Sequence, residues 1–133
     1  MNLLTYESIE LKKTTHTLIA AGIIMIEGIE GEHIELSDAI EMRDANLKLT
    51  DGKPFCLLMN GITSYHTYSS EAKELFASEE YCKLRRAVAF ISNSLPVTLM
   101  VKFFINLNKP KSPSRVFSTK EEALTWLKTI DLK

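Results

Sequence analysis

A chain of 133 residues fits one domain over residues 1–133, long enough to bury about two-thirds of its unfolded surface around a single core. Its 45% hydrophobic and 25% charged residues are the proportions of ordinary globular domains, not of disordered or fibrous chains. The 16 basic and 17 acidic residues leave a formal charge of -1, so there is no long-range field to gather nucleic acid or an anionic membrane.

Taken in chain order, the first third reads as β-structure. Tyr6 to Lys12 alternates Glu7, Ile9 and Leu11 against Ser8, Glu10 and Lys12, and the runs Thr15 to Ala20 and Ile23 to Glu27 flank Gly22. A turn that short permits only antiparallel pairing. Ser37 is placed to cap a helix over Asp38 to Leu49, with Asp38 in the first turn where the helix dipole favours an acid, and Asp51-Gly52 stops it. Phe55 to Met59, FCLLM, is a continuous apolar run after Pro54, the pattern of a strand covered on both faces. The polar loop NGITSYHTY leads to a helix from Ser69 to Ala77 and a shorter helical turn through Glu79 to Leu84, and Ala87 to Ile91 is a second buried strand.

Pro96 to Asn108, PVTLMVKFFINLN, follows as a helix that is apolar almost all round. At about 100° per residue, Thr98, Lys102 and Asn106 fall within one arc of roughly 80°, while Val97, Leu99, Met100, Val101, Phe103, Phe104, Ile105 and Leu107 share the remainder. One core face needs a stripe only a little over 100° wide, so Met100, Phe103, Phe104 and Leu107 are candidates for a subunit interface or an apolar groove. The prolines of KPKSPS, Lys109 to Ser114, forbid helix. Arg115 to Ser118 can form a last strand, and Thr119 with Glu122 makes a capping box that opens a helix bearing Ala123, Leu124, Trp126, Leu127 and Ile130 on one face. A hairpin followed by helix, strand, helix, strand, helix, strand, helix predicts an α/β sandwich. Its sheet is mainly parallel, with an antiparallel edge at the N-terminal end.

Functional groups of open α/β sheets gather at the carboxyl ends of the parallel strands. That singles out the loop after Phe55 to Met59, where Asn60, Ser64, His66, Ser69 and Ser70 are candidates to orient a small ligand, hold an anion or accept a phosphate. Their ordinary alternative is a solvated loop with Ser69 as a helix cap. Lys109, Lys111 and Arg115 form a candidate anion contact at the end of the apolar helix. No G-x-S-x-G elbow, H-x-x-x-H pair, G-x-G-x-x-G or Walker loop is present, so the expectation is a protein without catalytic residues, metal or cofactor. Cys56 and Cys82 suit reduced, structural thiols. The segment MNLLTYESIELKK lacks the features of a secretory signal, and the longest apolar stretch falls short of the about 20 residues of a membrane span. The expected location is the cytoplasm.

The hairpin around Gly22 with IELSDAIEMRDANLKLTDGKPF, FASEEY, RAVAFI, KFFINLNKPKSPSRVF and EEALTWL together resemble a bacterial family of small proteins of unknown function described as STAS/SEC14-like or SpoIIAA-like. The resemblance runs over most of the chain. It implies a sandwich of the anti-sigma-factor-antagonist type, in accord with the alternation above, and says little of activity. In phosphoregulated proteins of that kind the loop and helix after the central strand carry an Asp-Ser-Ser-Gly-like phosphoacceptor motif. Here Tyr68-Ser69-Ser70-Glu71 matches its two serines, with tyrosine for the acid and glutamate for the glycine. The leading functional expectation is therefore a non-enzymatic, homodimeric interaction or regulatory domain. The alternatives are an apolar-ligand or lipid carrier using a groove beside the helix over 96–108, and a phosphoregulated switch.

Overall fold

The computed structural model describes residues 7–28, 31–60, 67–108 and 112–133; in the helix over 95–108 the side chains described are those at 95–99 and 101–103. β1 (Glu7–Glu10) pairs antiparallel with β2 (Thr14–Ala20), and β2 with β3 (Ile23–Gly28), so His16 lies between Ile9 and Ile26. Gly22 makes the second reversal at φ 72°, in the left-handed region that glycine alone adopts without strain, and a Cβ there would collide with the Leu132 side chain.

The chain continues through β4 (His33–Ile34), α1 (Leu36–Leu49), β5 (Phe55–Asn60), β6 (Thr67–Tyr68), α2 (Ser70–Phe76), α3 (Glu79–Leu84), β7 (Arg85–Ile91), α4 (Leu95–Asn108), β8 (Ser114–Phe117) and α5 (Lys120–Leu127). Six strands form one sheet in the order β1-β2-β3-β5-β7-β8, with β3, β5, β7 and β8 mutually parallel. This is the mostly parallel α/β sheet with an antiparallel N-terminal edge that the alternation predicts. Two features differ from the sequence reading. The cap of α1 is Glu35, not Ser37, because Asp38 Oδ2 reaches back to accept the Glu35 N–H at 2.9 Å and the helix starts earlier. The end of the polar loop, read as irregular, pairs as β6 with β4 in a two-residue parallel ladder, too short to leave a period in the sequence.

Alternation along the strands sends side chains to two cores. On one face Ile24, Ile26, Phe55 and Leu57 pack against Met42 and Leu49 of α1, Ala72 of α2 and Tyr81 of α3. On the other, Ile23, Cys56, Leu58, Ala87, Ala89 and Ile91 pack against Ala123 and Leu127 of α5. β5 and β7 are thus covered twice, which is why both read as unbroken apolar runs. The crossovers run in one direction across the sheet, and α4, which joins β7 to β8, has its principal contacts with β8. Leu127 is 2% exposed, and Ile130 and Leu132 extend the second core past the end of α5. Between these residues and the β2–β3 turn lies an apolar pocket of about 220 Å³ lined by Ala20, Ala21, Ile23, Leu127, Lys128, Ile130 and Leu132.

Candidate functional site

The polar segment after β5 is a structural joint wherever it is described. Asn60, the last residue of β5, donates from Nδ2 to Glu27 Oε2 at 3.3 Å. Ser69 is the N-cap of α2: its Oγ accepts the Ala72 N–H at 3.1 Å, and its own N–H donates to Ile34 O at 2.9 Å. Ser70 begins the helix with an exposed side chain. Thr67 Oγ1 and His33 Nδ1 lie 2.7 Å apart across the β4–β6 ladder. Ser64 and His66 lie outside the described residues. Of the two serines that match the phosphoacceptor pattern, Ser69 is therefore committed to its cap and Ser70 faces solvent.

A polar cluster that sequence reasoning passed over lies in the core. His16 is fully buried, with Nδ1 2.7 Å from Asn46 Oδ1 and Nε2 2.9 Å from Thr14 Oγ1, and Asn46 Nδ2 donates to the Tyr81 hydroxyl at 2.7 Å. The carbonyl-type Asn46 oxygen can only accept, so Nδ1 carries the proton and Nε2 accepts from the Thr14 hydroxyl. Both ring nitrogens are engaged and neither is presented to a substrate. Burial lowers the His16 pKa, with the Asn46 hydrogen bond pulling weakly the other way. Burial likewise pushes the Tyr81 and Tyr68 phenols up to about 12 and the Cys56 thiol up to about 11. The alternation of β2 sets His16 on one strand face with Thr14 and Leu18, whereas its partners on α1 and α3 leave no local signal in the sequence.

Lys13, in the β1–β2 turn, fastens the hairpin to the start of α1. Its Nζ contacts Asp38 Oδ2 at 2.7 Å and donates to His33 O at 2.8 Å. Burial alone would raise the Asp38 carboxyl, but the hydrogen bonds from Lys13 and the Glu35 N–H outweigh it and hold the pKa below its ordinary value.

The surplus apolar surface of α4 has a direction. Val97, Thr98 and Val101 are half-buried, whereas Leu95, Leu99 and Phe103 are 69%, 57% and 66% exposed. At about 100° per residue this ridge lies on the side of the helix turned from its packed face. Ser94 starts the helix, its Oγ accepting the Val97 N–H at 3.5 Å and its carbonyl the Thr98 N–H at 2.9 Å, so Leu95, outside the helix read from sequence, becomes the first member of the ridge. Phe103 was anticipated as an outward residue; the side chains of Met100, Phe104 and Leu107 lie outside those described.

Of the anticipated anion contact, Lys109 and Lys111 lie outside the described residues. Arg115, on β8, stands with its guanidinium 5.2 Å from the Phe117 ring centroid and 5.5 Å from that of Trp126. Cys56 and Cys82 carry free thiols. Among the described residues no group of three His, Cys, Asp or Glu side chains is arranged to hold a metal ion, and no helix is long and apolar enough to cross a membrane.

Helices on a mostly parallel sheet that opens with an antiparallel hairpin define an α/β domain of SpoIIAA-like fold. The chain is similar in structure to an uncharacterised protein from the DUF3478 family with a SpoIIAA-like fold from Shewanella loihica PV-4, with a TM-score of 0.59 and 14% identity over 92% of each chain. At that identity the likeness is one of fold, as the sequence resemblance implies. Residues 17–131 match the domain of unknown function DUF7793, and the chain belongs to that family. No curated protein matches it.

Proposed function

We propose that this domain is a non-enzymatic cytoplasmic interaction module that pairs with a second copy of itself through α4. The observation that carries this reading is the ridge of Leu95, Leu99 and Phe103, each more than half exposed. Three large apolar side chains in line form the kind of apolar centre that homodimer interfaces bury. The sole charged residue of α4 is Lys102, so two copies can meet ridge to ridge about a two-fold axis with only one like charge each, placed at the rim. Complete burial of an exposed Leu or Phe contributes about 1.5–3 kcal/mol, so the ridge is the main favourable term that such a pairing can draw on. Burial, which pushes the Cys56 thiol up to about 11 and the Tyr68 and Tyr81 phenols up to about 12, disfavours these three groups as nucleophiles or bases.

Light scattering over a concentration series from about 1 μM to 1 mM tests the pairing. The parent chain is expected to pass from monomer to dimer, and Leu99→Glu and Phe103→Glu to stay monomeric with unchanged melting temperature. A parent that remains monomeric throughout the series disproves it. The apolar pocket of about 220 Å³ beside Leu127 and Leu132 favours a second reading, a carrier of a small apolar molecule. Its place differs from the groove beside α4 expected from the sequence. Native mass spectrometry of the purified protein should then show retained ligand mass, and a consistently empty chain removes this reading.

A further inference from the structure

β8 ends the sheet, and its hydrogen bonds define which of its backbone groups lie outside the β7 ladder. Val88 N–H donates to Pro113 O at 2.9 Å and Ser92 N–H to Phe117 O at 3.0 Å. Backbone groups of a strand turn to alternate sides, so Pro113, Arg115 and Phe117 face β7 while the N–H and C=O of Ser114 and Val116 face outward. No strand among the described residues pairs with that outer side.

Beside this unpaired edge a cation rests against two aromatic rings. The Phe117 and Trp126 rings lie 5.6 Å apart at 40°, and the Arg115 guanidinium sits over both, 5.2 and 5.5 Å from their centroids. Arg115 is exposed and the two rings are half-buried. The ion pairs of the described residues use Lys13, His33 and Arg43, and among these residues no carboxylate pairs with Arg115. Of the nearest acids in sequence, Glu122 holds the Thr119 hydroxyl at 3.1 Å and Glu121 accompanies it in the first turn of α5. Stacking on two rings limits the rotamers of Arg115, so a carboxylate that binds it orders little that is not ordered already.

We propose that the β8 edge is a docking site for an extended acidic peptide segment of a partner protein, added as a further strand beside Ser114 and Val116 with a carboxylate set on Arg115. Main-chain hydrogen bonds at the edge supply affinity, and the Arg115–Phe117–Trp126 platform supplies the preference for acidic side chains. Tryptophan and arginine side by side at a partly buried surface are the composition of an interface hot spot. This surface is separate from the α4 ridge.

Trp126 is the chain's single tryptophan and reports directly on the site. The probe is a blocked hexapeptide of alternating valine and glutamate, followed by Trp126 emission and by calorimetry. Saturable binding is expected, weakened in high salt, with no binding by the same peptide carrying lysine for glutamate. Arg115→Gln should weaken binding by at least about tenfold, the loss of one charge-assisted contact. Val116→Pro removes an outward N–H and leaves the β7 ladder intact, so it should abolish binding in a protein that still melts cooperatively. If that variant does not fold, Arg115→Gln, an exposed change, decides alone. No saturable signal up to about 1 mM, equal binding of the lysine peptide, undiminished binding by Arg115→Gln or by folded Val116→Pro, or complete displacement by inorganic phosphate would each overturn the proposal.

Discussion

Asn46 ties three elements together with one amide, accepting from His16 on β2, donating to Tyr81 on α3, and itself standing on α1. Nothing in the run DANLKL marks this asparagine as buried, since its role is set by partners 30 and 35 residues away; sequence periodicity reports which face a residue lies on, not who meets it there. The network makes stability depend on pH. His16 has a folded-state pKa below the ordinary value near 6.5, so in mildly acid solution the unfolded chain binds a proton that the folded one refuses. The stability it contributes is complete above about pH 6.5 and falls as pH drops below that value, by at most about 1.4 kcal/mol per pH unit for one proton. Urea midpoints between pH 7.5 and 5 should show this slope in the parent and lack it in His16→Gln. Parallel slopes in the two proteins would show that another group is responsible.

At the scale of elements, caps were the most legible feature where a hydroxyl precedes an acidic first turn. Ser69 and Thr119 cap α2 and α5, with Oγ atoms accepting from Ala72 and Glu122 at 3.1 and 3.2 Å. Ser37 fits the same pattern by residue type, yet the helix begins above it, because Asp38 is fixed by Lys13 and turned back onto Glu35. A tertiary ion pair chose among local alternatives there. Since Ser69 serves the cap and Ser70 faces solvent, the two adjacent serines separate cleanly under mutation. Ser69→Ala is expected to cost about 1 kcal/mol and Ser70→Ala less than about 0.5 kcal/mol, read from chemical denaturation; equal costs would mean that the cap contributes nothing to the folded state.

For the whole molecule, the order of helices and strands was readable because β3, β5 and β7 are each joined to the next strand of the sheet through helix, and the rule of handedness then leaves one arrangement. What could not be read is how unevenly the two faces are covered. Three helices seal the core that contains Phe55 and Tyr81, while α5, eight residues long, and the residues just after it seal the other. Leu127, 2% exposed in that second core, should accordingly be costly to truncate. Leu127→Ala is expected to lose about 2–5 kcal/mol, against a smaller loss for half-buried Leu124→Ala, measured by urea unfolding. A loss below about 1 kcal/mol at Leu127 would mean that the sheet does not rely on α5 for that face.

The strand order β1-β2-β3-β5-β7-β8 is also the order in which the ribosome releases these strands. No strand of this sheet has to wait for a later one to be inserted between it and its neighbour, so the nascent chain can lengthen the sheet at a single growing edge. The helix α5 is the exception. Ile23, Cys56 and Leu58 are made early yet acquire their cover from Ala123 and Leu127, so one side of the emerging sheet remains apolar and bare until α5 has been made. The interval between the release of β5 and that of α5 is thus the one in which this chain is most open to chaperone capture and to clumping with its neighbours on a polysome.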